Sequence, residues 1–218
     1  MLRWVCFDVG ETLFDETGYW GRWADYLTVP RPVFLSELRS AIAAGRHHRR
    51  VFEAFRPGFD VEAAVLRRRE AGDDPGFQTS DLFPDVRPCL DALCTAGLHI
   101  GVAGNNTSLT EAAVGACGLP LAFIASSSMW NAAKPDPAFF AALARQCGAP
   151  HAEIVYVGDR IDNDVVPAER AGMASVWLRR GLWAEVQKSS VEATSVAHAI
   201  DRLDELPALL ACLSRRRS

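Results

Sequence analysis

Asp8 is the first side chain in the sequence whose type and position suit a chemical role. It closes the apolar run of residues 2–7. An apolar run of this kind suits a strand buried on both faces of a parallel sheet, and such a strand would aim the Asp8 carboxylate and partly desolvate it. A carboxylate in that setting can attack phosphorus and form a covalent aspartyl-phosphate. A lone Asp at a strand end would more often cap a turn, so the nucleophile role depends on its neighbours.

Two further carboxylates, Asp159 and Asp164, follow a later apolar run and are predicted to open a helix. Brought together with Asp8, they would repel one another and raise each other's pKa. A hard divalent cation removes that repulsion, and Mg²⁺ with water and a substrate phosphate is the usual choice for oxygen ligands. Helix capping by Asp162 or Asn163 is the alternative for this segment. We therefore predict a magnesium site formed by Asp8, Asp159 and Asp164.

Lys134 provides a positive charge in a stiff setting. It begins the segment Lys-Pro-Asp-Pro, in which Pro135 and Pro137 restrict the chain at the start of a predicted helix. A fixed ammonium group can balance Asp8 and a phosphoryl group during its transfer. A lone lysine is by default a solvated surface residue. The rigid setting favours a catalytic Lys134 instead.

The elements that must position these residues alternate between strands and helices. Short apolar runs occur at residues 2–7, 98–102, 121–124, 154–157 and 174–178. Helical patterns separate the later runs, at about 85–96, 108–117, 136–147 and 163–171. This alternation predicts right-handed βαβ units and a parallel sheet covered on both faces. Ligands bind beyond the carboxyl ends of such strands, where Asp8, Asn105 and Asp159 fall.

The stretch 16–83 does not alternate. Its apolar residues recur at helical spacing instead, as Trp20, Trp23 and Leu27, then Phe34, Leu38 and Ile42, then Val61, Val65 and Leu66. We predict an α/β protein with a Rossmann-like parallel core of residues 1–15 and 84–218 and an inserted α-helical cap domain of residues 16–83. An insertion after the first strand lies over the ligand crevice and could act as a lid.

Three minor segments carry weaker expectations. The basic runs 46–50 and 67–69 are predicted to be solvated helix faces, and gripping of an anionic substrate is the alternative. The tail from about 194 to 213 is predicted to be a last helix, with a break at Pro207.

Three motifs together resemble the haloacid dehalogenase (HAD) superfamily of hydrolases. They are Phe-Asp-Val-Gly-Glu-Thr-Leu at 7–13, the Lys134 segment, and Gly-Asp-x-x-x-x-Asp at 158–164, and the insertion 16–83 lies where that family has its first type of cap. The resemblance implies a Mg²⁺-dependent hydrolase, in particular a phosphatase that acts on a small phosphorylated metabolite through an aspartyl-phosphate. It also implies the Gly10 carbonyl as a metal ligand and Thr12 as a substrate-binding residue.

The second motif of the family departs from its usual form here. Gly104 stands where the family usually has Ser or Thr, so the hydroxyl is missing. The backbone N–H of Asn105 can still bind a phosphate oxygen, and Asn106, Thr107 or Ser108 could supply a side-chain donor. A simple turn with a helix cap is the alternative. We predict that Gly104, Asn105 and Asn106 bind substrate.

The largest departure is Gly10, where the family's phosphatases have an Asp that acts as general acid and base. Glu11 could be a displaced acid or a solvated flap residue. Without a proton donor, aryl and acyl phosphates should react faster than alkyl phosphates. The departure also keeps two alternatives open. One is a dehalogenase that uses Asp8 without metal, which the Asp159 and Asp164 pair argues against. The other is a binding protein on a weakened HAD scaffold.

Composition limits the partners. The 218 residues carry a net charge of −4, which does not favour a nucleic-acid partner. No apolar run reaches the length of a membrane span. The six cysteines are scattered without a C-x-x-C pair, so we expect reduced thiols in a cytoplasmic protein. We expect a small phosphorylated substrate and leave monomer and homodimer both open.

Overall fold

The computed structural model describes residues 1–216, apart from the side chain of Arg216, and is built on a six-stranded parallel sheet. The sheet order is β3-β2-β1-β4-β5-β6. The strands are β1 (Trp4–Phe7), β2 (His99–Gly104), β3 (Phe123–Ser126), β4 (Ile154–Gly158), β5 (Ala174–Leu178) and β6 (Ala199–Ile200). The predicted α/β fold is confirmed. β1 lies in the centre, where Val5 pairs with Ile100 of β2 and Val155 of β4.

Helices surround the sheet. They are α1 (Glu16–Tyr26), α2 (Arg31–Ala43), α3 (Arg50–Phe55), α4 (Val61–Glu70), α5 (Val86–Thr95), α6 (Ser108–Ala116), α7 (Ser127–Trp130), α8 (Pro137–Cys147), α9 (Val166–Arg170), α10 (Gly181–Gln187) and α11 (Leu206–Arg216). A π-helical turn, Ile161–Val165, leads into α9. Short 3₁₀ turns lie at Thr79–Asp81, His151–Glu153, Glu192–Ser195 and Leu203–Glu205.

The central strand is buried on both faces, which explains its continuous apolar sequence. Val5 and Phe7 pack into the cluster that includes α5 and α11, whereas Cys6 packs with Phe140 of α8 and Tyr156 of β4 in the opposite layer. Asp8 is the first residue beyond this strand. Its backbone N–H donates to the carbonyl of Val157 at 2.9 Å, so the position of the Asp8 backbone is fixed by the sheet.

The inserted helices α1–α4 pack around an apolar cluster that α10 also contacts. Trp23, Phe34 and Phe52 are fully buried there, with the rings of Trp23 and Phe52 5.1 Å apart at their centroids. Asp15 caps the N-terminus of α1 by accepting from Thr17 N at 2.8 Å. Arg22 pairs with Asp81 at 2.5 Å, which ties the start of the insertion to its end.

The basic run 67–69 is exposed as expected at Arg67 and Arg69, but the expectation is wrong at Arg68. Arg68 is buried, because its guanidinium lies 4.7 Å from the Trp23 ring and pairs with Asp73 at 2.7 Å. Leu66, one of the apolar residues at helical spacing, is 63% exposed, and Ala64 and Arg68 lie on the buried face of α4. The spacing of apolar residues could not show that the arginine, and not Leu66, would pack on the aromatic ring of Trp23.

The predicted tail helix is also wrong in its extent. Residues 199–200 form the edge strand β6, and α11 begins only at Leu206. Pro207 therefore lies in the first turn of a helix, where its missing N–H has no cost, instead of marking a break.

Within the described residues, no helix is long and apolar enough to cross a membrane. The cytoplasmic location stays a prediction.

Candidate active site

The carboxyl ends of β1 and β4, which are neighbours in the sheet, bring the predicted acidic residues to one edge. Oxygen atoms of Asp8, Asp159 and Asp164 all lie within 4.8 Å of one another. Asp8 follows β1 and Asp159 follows β4, while Asp164 comes from the π-helical turn before α9. The sequence predicted that these carboxylates lie close together, because the carboxyl ends of parallel strands lie at the same edge of a sheet.

Lys134 is buried between two of these carboxylates. Its Nζ lies 2.8 Å from Asp8 Oδ1 and 2.6 Å from Asp164 Oδ1. Burial alone would lower the pKa of Lys134, but the charges of Asp164 and Asp8 outweigh it and raise the pKa well above its usual value. Lys134 is therefore a fixed positive charge that keeps its proton.

The donor set fits a hard cation. Asp159 Oδ2 is buried and has no hydrogen-bond partner within the described part of the chain. Burial, followed by the charges of Asp164 and Asp8, raises the pKa of Asp159 well above its usual value. Burial also raises the pKa of Asp164 to about 6, although Lys134 opposes the shift. One ammonium group does not balance three carboxylates, so a divalent ion such as Mg²⁺ would satisfy the remaining charge.

Asp162 is turned away from this cluster. It is exposed and pairs with Arg160 at 2.6 Å, and it also accepts from Gln187 Nε2. The alternative in which Asp162 caps a helix does not describe it either, because its carboxylate bonds to these two side chains. Gly10 lines the same cavity as Asp8 and Asp159.

Asn105 holds Lys134 in place through its side chain. Its Oδ1 accepts from the backbone N–H of Lys134 at 2.7 Å, and its Nδ2 donates to the Lys134 carbonyl at 2.8 Å. This pair of bonds connects the end of β2 to the segment before α8. The sequence predicted only a backbone role for Asn105.

The space that a side chain at Gly104 would occupy is filled by neighbouring side chains. A Cβ built there would clash with Asp8 Oδ1 and would lie 2.5 Å from Asn106 Nδ2. The Asn106 amide therefore lies beside the position that a Ser or Thr side chain would occupy. Asn106 Nδ2 is buried, and no acceptor bonds to it among the residues that the structure describes. It is a free donor next to Asp8.

Glu11 is not a solvated flap residue. It is 7% exposed, and its carboxyl group lies against Gly181, where a Cβ would lie 2.6 Å from Glu11 Oε2. Burial, then the charges of Glu16 and Asp15, raises the pKa of Glu11 well above its usual value. The backbone of Glu11 is in the left-handed region, with φ of +52°, so the chain turns sharply after Gly10.

Arg180 fixes the loop that follows Asp8. It donates to the carbonyls of Glu11 and Thr12, and its Nη1 lies 3.0 Å from both carboxylate oxygens of Asp85. Asp85 also accepts from the backbone N–H of Leu203 at 3.0 Å. Thr12 itself is fully buried, and the structure does not bring its hydroxyl to the cavity that contains Asp8. The expected substrate contact of Thr12 is not supported by its position.

Glu16, at the start of α1, is a site residue that sequence reasoning missed. Its carboxylate lines the cavity with Asp8 and Lys134, and it accepts from Trp20 Nε1 at 2.9 Å. Burial raises the pKa of Glu16 to about 7, against the effect of the Trp20 bond and with a further contribution from Asp8. In the sequence, Asp15-Glu16 is an ordinary acidic helix start, so no local signal marked it.

Two cavities meet at this edge. The one of about 450 Å³ contains Asp8, Glu16, Lys134 and Asp159 in its lining. The other, of about 480 Å³, lies between the inserted helices and the core and is more apolar, with Trp20, Trp23 and Phe77 in its wall. Both share Glu16 and Asn106. A ligand with a charged end and an organic body would fit this arrangement.

Comparison with known proteins agrees with the fold and motifs. The model of the haloacid dehalogenase-like hydrolase family matches residues 2–172, which is most of the chain. The chain belongs to this family of hydrolases.

The relatives include named phosphatases. The chain is 32% identical over 149 residues to a glyceraldehyde 3-phosphate phosphatase of Methanopyrus kandleri, covering 66% of this chain and 64% of that protein. It is 32% identical over 137 residues to haloacid dehalogenase-like hydrolase domain-containing protein 3 of Danio rerio, covering 62% and 55%. These two matches thus span less than two thirds of the relatives. A pyrimidine 5'-nucleotidase of Escherichia coli is 24% identical, with coverage of 95% and 97%.

Solved structures of HAD-like hydrolases are also similar to this chain. A 2-haloacid dehalogenase of Pseudomonas syringae is 27% identical with a TM-score of 0.64, covering 98% of this chain and 100% of that chain. A HAD hydrolase of Bacillus subtilis, solved with magnesium, superimposes with a TM-score of 0.70 at 18% identity, covering 96% and 98%. The second likeness concerns the fold alone.

Proposed function

We propose that this chain is a Mg²⁺-dependent phosphatase that hydrolyses a small phosphorylated metabolite through an aspartyl-phosphate on Asp8. The observation that carries the proposal is the Lys134 ammonium between Asp8 and Asp164, beside the unpartnered oxygen of Asp159. The named phosphatases among the relatives support the same reaction class.

In this proposal, each residue of the site has its own role. Asp8 attacks phosphorus, and Lys134 holds a positive charge beside the phosphoryl group as it transfers. The free Nδ2 of Asn106 and the backbone N–H of Asn105 donate to phosphate oxygens. Asp8, Asp159, Asp164 and the Gly10 carbonyl would hold Mg²⁺. The bound ion supplies further positive charge for the phosphate.

We further propose that residues 16–83 act as a cap domain over the core of residues 1–15 and 84–218. The buried residues of one apolar cluster all come from the segment of helices α1–α4, with α10 of the core packed against them, and this segment forms one wall of the cavity of about 480 Å³. That cavity would take the organic part of the substrate and exclude water from the phosphate.

The test is a panel of triose phosphates, sugar phosphates and nucleoside monophosphates assayed with Mg²⁺. We expect phosphate release from at least one of them, loss of that release with EDTA, and recovery when Mg²⁺ is added in excess. Phosphate release that survives thorough chelation would contradict the metal requirement.

A metal-independent dehalogenase is the second candidate. Gly10 favours it, since an acid at that position is not needed for attack on carbon, and one dehalogenase structure is 27% identical. The buried three-carboxylate cluster disfavours it, because a reaction without metal leaves that charge unbalanced. Chloride release from 2-chloropropionate in the presence of EDTA would establish this candidate in place of the phosphatase.

A further inference from the structure

The proposed reaction needs a group that moves a proton, and Gly10 cannot supply one. The departing oxygen must gain a proton, and the water that later attacks must lose one. Lys134 is ion-paired with both Asp8 and Asp164, and Asp159 belongs to the predicted metal site. The proton carrier must therefore come from another residue that reaches the same cavity.

A carboxylate occupies the space above Gly10. A Cβ built on Gly10 would lie 3.0 Å from the carboxyl carbon of Glu16 and would clash with its Oε1. The backbone at Gly10 is not left-handed, so glycine is not required there by φ. The Glu16 carboxylate therefore occupies the space where an acidic side chain at position 10 would begin.

Glu16 is held in this position by one aromatic side chain. Trp20 Nε1 donates to Oε2 at 2.9 Å, one turn further along α1. The other oxygen, Oε1, is the one that points toward Gly10. Glu16 is half-buried and lines the cavity that contains Asp8, so its carboxyl group can meet a bound substrate.

Other acids and bases in the cavity are less well placed. The Glu11 carboxyl group lies against Gly181. The His48 ring lies against Trp20 and Trp183, with centroids 5.7 Å and 6.3 Å away. By contrast, the three atoms that lie nearest to a Cβ built on Gly10 all belong to Glu16.

We propose that Glu16 is the general acid and base of this enzyme, and that it replaces from α1 the side chain that Gly10 lacks. This inference rests on the proposed phosphatase function. It also changes the expectation for leaving groups, because wild type should then hydrolyse alkyl phosphates as well as aryl phosphates.

The two half-reactions balance. In the first, an Asp8 oxygen forms a bond to phosphorus, the bond from phosphorus to the leaving oxygen breaks, and Glu16 gives its proton to that oxygen. In the second, water forms a bond to phosphorus and gives a proton to Glu16, while the bond between phosphorus and Asp8 breaks. The products are an alcohol and phosphate, and both carboxyl groups return to their initial states.

The test compares wild type with Glu16→Gln on two substrates of similar size, 4-nitrophenyl phosphate and 4-nitrobenzyl phosphate, at saturating Mg²⁺. Gln keeps an acceptor for Trp20, so a purely structural role would survive the change. We expect kcat/KM for the benzyl ester to fall by about 100-fold or more. The first turnover of the phenyl ester should change by less than about tenfold, because nitrophenolate leaves without a proton. A burst of nitrophenol followed by slow turnover is expected in the variant, since the second half-reaction also needs Glu16.

A rescue experiment tests whether a carboxylate from residue 10 can replace the carboxylate of Glu16. Glu16→Ala should lose benzyl ester hydrolysis, and the double variant Gly10→Asp with Glu16→Ala should regain at least about tenfold of it, since the carboxylate then comes from residue 10. Glu11→Gln and His48→Asn should leave the ratio of the two substrates as it is in wild type.

The outcomes separate this inference from the function on which it rests. If wild type releases phosphate from no ester and forms no phospho-Asp8, the proposed function fails, and the role of Glu16 fails with it. If wild type is active and Glu16→Gln changes neither the substrate ratio nor the burst, only the role of Glu16 is overturned. If Glu11→Gln or His48→Asn, and not Glu16→Gln, changes the substrate ratio, the role of Glu16 is overturned as well.

Metal affinity is the remaining control. The Mg²⁺ concentration that gives half of the thermal shift should change by less than about threefold in Glu16→Gln. A larger loss would make Glu16 a metal ligand and overturn the proton-transfer role.

Discussion

In the proposed reaction, the side chain of Asp8 must attack a phosphate dianion, and two negative groups then have to approach each other. The Lys134 ammonium group lies 2.8 Å from Asp8 Oδ1 and would offset part of this negative charge, and Mg²⁺ at the predicted metal site would offset more of it. Neither Lys134 nor Asp159 can take over the attack itself, since Lys134 keeps its proton and Asp159 lies deeper in the protein, 2% exposed.

Asp8→Asn should therefore abolish turnover while the protein stays folded. The amide has nearly the same volume but cannot form the acyl phosphate, so we expect kcat below about one ten-thousandth of the wild-type value. Phosphate release by protein purified free of wild type measures this, and urea unfolding reports the fold. Residual activity within about a hundredfold of wild type would reject Asp8 as the nucleophile.

Asp159 and Asp162 form a matched pair for testing the metal site, because they lie three residues apart but face different surroundings. Asp159 is buried with a free oxygen, while Asp162 is exposed and paired with Arg160. At a hundred times Kd, Mg²⁺ should stabilise wild type by about 2.7 kcal/mol. We expect Asp159→Ala to remove most of the thermal shift and Asp162→Ala to retain it. Equal shifts in wild type and Asp159→Ala would reject Asp159 as a ligand.

At the scale of the elements, the contact between the loop after β2 and the segment before α8 sets the position of Lys134. Asn105→Ala removes both bonds to the Lys134 backbone. Each such bond is worth about 1 kcal/mol, so the segment should loosen while the sheet persists. We expect kcat to fall by roughly tenfold with little change in Mg²⁺ affinity. An unchanged kcat, with activity and Mg²⁺ binding measured on the same preparation, would show that Lys134 is positioned without Asn105.

The strands and most of the candidate site could be predicted from the sequence, because short apolar runs mark buried strands and polar residues follow them. β5 lies at the predicted residues 174–178. The two-residue strand β6 could not be predicted, since no pattern distinguishes so short an edge from a loop. Glu16 could not be predicted for a different reason, whereas Asn106 was already among the predicted side-chain donors. The Glu16 carboxylate lies in space that a side chain at Gly10 would occupy, and no sequence pattern shows such a replacement from another element.

At the scale of the whole molecule, Arg180 connects parts of the chain that are far apart in sequence. Its side chain is 15% exposed, and its guanidinium pairs with Asp85 and lies 3.8 Å from the Phe83 ring. Arg180→Met would leave Asp85 buried without its partner, and we expect a loss of about 3 kcal/mol in the free energy of unfolding. Arg179→Met is the control, because its pair with Asp201 is exposed and should contribute less than about 1 kcal/mol. Urea unfolding of both variants measures the difference, and equal losses would contradict this role of Arg180.

The position of Arg180 also bears on how this protein can be recombined with its relatives. All the motif residues lie within residues 2–172, which the family model matches, but Arg180 lies after them and holds the carbonyls of Glu11 and Thr12. A chimera that joins residues 1–172 to the C-terminal segment of a relative would inherit the complete set of motifs. The shape of the loop that follows Asp8 would still depend on whether the donor segment brings an arginine to those two carbonyls and a glycine beside Glu11.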